Sequence, residues 1–103
     1  MTMREKKRIL AAYKAALLKV FRGAVDAATV DAALYLGDED PGGWAPDAPL
    51  VIHTEKGLPD RESVSGIEAW VRVDDEANAR LAKHGLRVFS EPINMAVTAV
   101  WKV

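Results

Sequence analysis

The sequence predicts an α+β fold, on the evidence of two amphipathic N-terminal segments and several short alternating apolar segments further on. We expect two helices, then a roughly four-stranded mixed or antiparallel sheet with one crossover helix, in the order ααββαββ. The chain of 103 residues has the length of one domain. Its predicted parts are a helical part at 1–36, a loop rich in proline, glycine and acids at 37–49, and a sheet with one helix at 50–103.

The first helix is predicted from a capping box and a helical stripe. Thr2 and Glu5 have the spacing at which each side chain satisfies a backbone N–H of the other. Apolar residues then recur at helical intervals as far as Phe21. Leu18 falls on the polar side of this stripe, where it has no obvious core partner. A second helix is predicted from Asp26 to Leu36, with a strand over residues 29–36 as the competing interpretation.

The later elements are predicted from alternation and from helix-end signals. Residues 49–54 form a short predicted strand, and residues 67–73 (IEAWVRV) alternate, which places Trp70 on the less buried face of a second strand. Residues 74–85 are predicted to form a helix, because its start carries three acids at 74–76 and Lys83, His84 and Gly85 close it. Residues 86–90 and 95–103 are the last two strands, predicted as a hairpin with an exposed final strand.

Composition excludes several classes of function. There is no cysteine, so disulfides, thiolate metal ligands and cysteine nucleophiles are excluded, and a reducing compartment is favoured. No apolar segment has the roughly 20 residues that a membrane span needs. We therefore expect a cytoplasmic protein. No complete nucleophile, metal or nucleotide motif occurs, so we predict no catalytic residue, metal site or cofactor.

The segment 37–49 (GDEDPGGWAPDAP) is the most unusual in composition. Its carboxylates, with Asp38 and Asp40 among them, could bind a hard cation, but the set lacks the spacing of a calcium loop. The sequence favours a solvated connector. His53 and Glu55 lie two residues apart on one predicted strand and could line a cleft with the loop acids. A small-ligand or metal-binding, enzyme-like domain is therefore one alternative hypothesis.

Charge is distributed unevenly along the chain. Residues 1–22 carry seven basic residues and one acid, whereas the remaining residues carry seven basic and fourteen acidic residues. Lys7, Arg8 and Lys14 form the basic face of the first helix. Nucleic-acid binding through this face is a second alternative, less favoured because the chain is slightly acidic overall and the helix lacks aromatic stacking positions.

The function that the sequence favours is a small protein-interaction or assembly subunit that associates with itself or with a protein partner. Three tryptophans are a large aromatic content for so short a chain, and tryptophan is enriched at interface hot spots. Trp44, Trp70 and Leu18 are the predicted interface residues.

Overall fold

The computed structural model describes residues 1–103, apart from the side chain of Val64. The helices are α1 (Met3–Val20), α2 (Ala27–Ala33) and α3 (Val64–Ala82). The strands are β1 (Leu34–Tyr35), β2 (Leu50–His53), β3 (Val88–Pro92) and β4 (Val97–Lys102). Short 3-10 turns at Gly37–Glu39 and Thr54–Lys56 precede and follow β2. Within these described residues no helix is both long and apolar enough to cross a membrane.

The four strands form one antiparallel sheet in the order β1-β2-β4-β3, so the α+β class is confirmed. The predicted hairpin of the last two strands is also confirmed, since β3 pairs with β4. Two of the predicted elements are assigned wrongly. A short strand occupies Leu34–Tyr35, where the sequence favoured the end of a helix, and the predicted strand at 67–73 is absent.

Residues 67–73 belong to α3, which begins one turn earlier. The Ser63 hydroxyl accepts a hydrogen bond from the Gly66 N–H at 3.0 Å and so caps the helix. Trp70 is therefore buried in the core at 1% exposure, not placed on a half-buried sheet face. The acids at 74–76 lie in the middle of this helix, so the dipole argument for a helix start at Asp74 was wrong.

The main core lies between the helices and one face of the sheet. α1 and α3 run antiparallel, since Lys19 contacts Glu76 while Arg8 shares a surface hollow with His84. Alternate strand residues point at these helices and are almost fully buried: Leu50, Ile52, Val88 and Val100. This alternation follows from the period of two in a pleated strand.

The final strand β4 lies inside the sheet, so it offers no free edge for strand addition, contrary to the prediction. The edge on that side is β3. There the side chain of Asn78 on α3 accepts from the Val88 N–H at 2.8 Å and donates to the Val88 carbonyl at 3.0 Å. Pro92 has no N–H to offer. Edge strands with free backbone groups favour aggregation, and these contacts reduce the number of free groups.

The loop at 37–49 lies on the opposite face of the sheet. Ala45 and Ala48 pack there against Val51, Val97 and Ala99 in a second, smaller apolar cluster. Gly37 permits this packing, because a Cβ at that position would overlap the Ala48 carbonyl and lie 2.6 Å from the Ala45 oxygen. The loop is therefore a packed layer over part of the sheet.

Candidate functional site

Asp40 is the buried centre of the acidic loop. Its carboxylate accepts hydrogen bonds from the backbone N–H of Gly42 at 3.1 Å and of Trp44 at 3.4 Å. The same carboxylate contacts His53 Nε2 at 2.7 Å. The loop residues after Asp40 thus turn around its side chain, as short acidic side chains commonly arrange in turns. The Asp40 carboxylate therefore both organises the loop and attaches it to β2.

His53, at the end of β2, lies between two carboxylates. Its Nε2 faces Asp40, and its Nδ1 lies 3.1 Å from Glu55 Oε1. A neutral imidazole can donate from only one nitrogen, whereas the protonated ring donates from both. The protonated form therefore satisfies both contacts. Each ring nitrogen faces a carboxylate and neither is directed at open space, so this arrangement suits a structural role.

The acidity of Asp40 reflects two opposed effects. Burial favours the neutral carboxyl and raises the pKa, but hydrogen bonds from His53 and from the Gly42 N–H favour the carboxylate and outweigh it. The pKa of Asp40 consequently lies below its ordinary value. The carboxylate is ionised at neutral pH and can accept a hydrogen bond from His53 Nε2.

The structure brings together three of the four predicted ligand-site residues. Asp40, His53 and Glu55 form one chain of contacts, but Asp38 is exposed and takes no part in it. Among the described residues, no three side chains of suitable type converge in a way that could hold a metal ion. Tyr35 packs edge-on against His53, with ring centroids 5.3 Å apart, and covers its remaining side.

Trp44 is the loop residue that the sequence could not explain. Its indole lies over the backbone of Gly42, where a Cβ would come within 2.7 Å of the ring. The side chain is nevertheless 51% exposed. It therefore covers the turn formed around Asp40 and does not enter the core. Leu18, the predicted interface residue on α1, is likewise exposed.

A second polar network lies beneath the middle of α3. Asp74 accepts hydrogen bonds from Tyr13 Oη and from Ser90 Oγ, each at 2.8 Å. Arg61 donates to Ser90 Oγ at 3.2 Å, and its guanidinium lies 4.6 Å from the Trp70 ring centroid. These residues come from four separate parts of the chain.

The same network perturbs two ionisation equilibria. Burial, reinforced by the Asp74 carboxylate, raises the pKa of Tyr13 far above its ordinary value. Burial also lowers the pKa of Arg61, although Asp74 acts against it. Tyr13 therefore remains a neutral hydroxyl donor. Sequence reasoning missed this network, because Tyr13 and Asp74 are 61 positions apart and carry no joint motif.

Above this network is an apolar groove between α3 and the turn that joins β3 to β4. Its volume is about 290 Å³, and Arg61, Trp70 and Asp74 form part of its lining. Its rim carries large apolar side chains that are unusually exposed: Ile67 at 55%, Val71 at 54% and Met95 at 74%. Exposed apolar side chains gathered around one groove are typical of contact surfaces.

The basic residues of α1 divide into two groups. Lys14 pairs with Asp31 at 2.8 Å, and Lys19 pairs with Glu76 at 3.1 Å. Lys7 and Arg8 form no ion pair with any described residue. The basic face predicted from the sequence is thus neutralised at Lys14 and remains charged towards the N-terminal end of α1.

Comparison of the chain with protein-family models, curated proteins and solved structures returned no match.

Proposed function

We propose that the chain is a small interaction subunit that pairs with a second copy of itself. The contact surface would be Ile67, Val71 and Met95 with the groove that they border, which we call the α3 surface. The proposed compartment is the cytoplasm, because a chain without cysteine suits a reducing environment.

The observation that carries this proposal is the clustering of the three exposed apolar side chains. Ile67 and Val71 are four residues apart and so lie on one face of α3. Met95 reaches the same groove from a turn held by Asn94, whose side-chain oxygen accepts from the N–H groups of Ala96 and Val97 at 2.7 and 2.9 Å. Burying such side chains removes apolar area from water, which is the main favourable term in association.

A second copy is the proposed occupant, because a twofold contact could use both a projecting side chain and a groove, together with charges of both signs. The projecting Met95 and the groove lie side by side, so a twofold axis would place the side chain of each copy at the groove of the other. Glu68 and Arg72 flank the apolar pair on α3, and neither forms an ion pair within the described part of the chain. Antiparallel packing of two α3 helices would bring Glu68 of one copy to Arg72 of the other.

Sedimentation velocity over a range of protein concentrations tests the proposal. We expect the wild-type chain to sediment as a dimer at high concentration and Val71→Glu to sediment as a monomer. Leu18→Glu is the matched control, because it also places one carboxylate at an exposed apolar helix position, but on α1. A wild-type monomer at every concentration would refute self-association. Dissociation by Leu18→Glu alone would move the interface to α1.

The alternative of a ligand-binding or enzyme-like cleft at Asp40, His53 and Glu55 has less support. Both ring nitrogens of His53 already face carboxylates, and the Asp40 carboxylate already accepts a hydrogen bond from the loop backbone. Metal-dependent stabilisation on heating would be the result that favours this alternative.

A further inference from the structure

The antiparallel packing of α1 and α3 creates a positively charged groove that neither helix has alone. Two adjoining surface hollows share Arg8 and Ala11. Their basic lining comes from both helices and from the turn after α3, and we call it the basic groove: Arg4, Lys7, Arg8, Arg80, Lys83 and His84. The first turns of α1 thus lie beside the last turn of α3.

The charge of the basic groove is largely uncompensated. No acidic residue lines either hollow. Within the described residues, Arg80 is the one member of the groove that forms an ion pair, with Glu76 at 3.3 Å. Exposed acids such as Asp38, Glu39 and Asp47 lie in the loop on the far side of the sheet. Although the net charge of the chain is −1, the basic groove is therefore a positively charged surface.

We propose that the basic groove binds the phosphate backbone of double-stranded nucleic acid. Clustered cations bind a phosphate backbone by releasing its condensed counterions, which requires charge but no particular sequence. Ala11, Ala12 and Ala15 form the small-residue part of the lining, so bulky side chains there do not hold a backbone away from the cations. No aromatic residue lines the groove, and single-stranded binders depend on aromatic stacking.

An acidic protein segment is the competing occupant, and the lining fits it less well. Protein interfaces depend on a few large anchors, most often aromatic or aliphatic, that fill well-packed pockets. Apart from the cations, the basic groove presents mainly alanines; its Leu81 is buried, and Met3 lies at its outer end. The surface therefore offers charge to a partner but few anchoring contacts.

Fluorescence anisotropy with a labelled 20-base-pair DNA duplex tests this proposal at several salt concentrations. If Arg4, Lys7, Arg8 and Lys83 each neutralise one phosphate, affinity falls about 100-fold between 50 and 200 mM salt. The double variant Lys7→Gln/Arg8→Gln should bind at least about tenfold more weakly at 50 mM salt and lower the salt slope by about two. Lys83→Gln should lower the slope by about one.

The matched control is Lys19→Gln/Arg22→Gln, which removes the same two residue types from the last turn of α1 and from the turn that follows it. It changes the net charge equally and should leave affinity within about twofold of the wild type. Four results would overturn the proposal. These are no duplex binding at 50 mM salt, an equal loss in the control, an unchanged slope in Lys83→Gln, and tighter binding of a polyglutamate peptide than of the duplex at the same salt.

Discussion

Asp40 Oδ1 and His53 Nε2 lie 2.7 Å apart, in a contact that joins the acidic loop to the end of β2. Both side chains are almost completely buried, at 0% and 8% exposure. A buried polar contact of this kind stabilises only while both partners are present, since removing either one leaves the other buried without its hydrogen bond. The loop that looked like a ligand site is thus held in place by its own carboxylate.

Replacing Asp40 should destabilise the whole fold. Asp40→Ala removes the acceptor for His53 and for two loop N–H groups, and we expect the free energy of unfolding to fall by about 3 kcal/mol. Asp38→Ala is the control, because Asp38 is exposed and should change stability by less than about 0.5 kcal/mol. Urea unfolding followed by tryptophan fluorescence measures both. Equal effects at the two positions would contradict the role given to Asp40.

The same carboxylate makes stability depend on pH. The folded-state pKa of Asp40 lies below its ordinary value of 3.8, so its contribution is fully present above that value and is lost as pH falls through the folded pKa. Melting temperatures measured from pH 6 down to pH 2.5 should fall more steeply in the wild type than in Asp40→Asn, which has no carboxyl at this position to titrate. Parallel curves for the two proteins would refute this assignment.

Gly37 should tolerate no side chain. Gly37→Ala would place its Cβ against the Ala45 and Ala48 carbonyl oxygens, and we expect a loss of about 3 kcal/mol in unfolding free energy. Gly23→Ala is the comparison that measures the cost of backbone strain without atomic overlap. Gly23 has a φ of +83°, and a Cβ added there would meet open space. It should cost about 1 kcal/mol. Chemical denaturation of the two variants should rank Gly37→Ala as the more destabilised.

The charges beside the α3 surface should behave as a complementary pair between two copies. Glu68→Arg and Arg72→Glu should each weaken the proposed dimer about tenfold, since each places like charges opposite one another. The double variant Glu68→Arg/Arg72→Glu should recover most of the wild-type dissociation constant, because the swap restores attraction. Sedimentation equilibrium measures all three constants. Additive weakening in the double variant would show that the two side chains do not meet across the dimer.

Local signals in the sequence predicted where α1 and α2 begin, but not where α3 begins. Thr2 and Asp26 are N-caps in the structure, as their spacing indicated. Residues 67–73 show why alternation alone misleads. Their apolar positions also fit the helical series that continues through buried Ala77 and Leu81, and a seven-residue window is too short to separate the two periods.

The candidate site was predictable only where its residues are close in sequence. His53 and Glu55 could be paired from their spacing, and Asp40 from the composition of the loop. Asp38 takes no part in the contacts of Asp40, His53 and Glu55 because of the direction in which the loop turns. The sequence does not specify that direction. The basic groove needed Lys83 and His84 beside Arg8, which is 75 and 76 positions away from them in sequence, and this proximity follows from the antiparallel packing of α1 and α3.

The contact of Asn78 with Val88 determines how the sheet ends. A carboxamide presents a donor and an acceptor in nearly the arrangement of a peptide group, so one side chain of α3 makes the two hydrogen bonds that a fifth strand would make to Val88. The isosteric replacement Asn78→Asp would mimic only half of that peptide, since a carboxylate accepts but cannot donate to the Val88 carbonyl. A helix side chain thus takes the place of a strand's backbone at Val88, and the sheet ends there at β3.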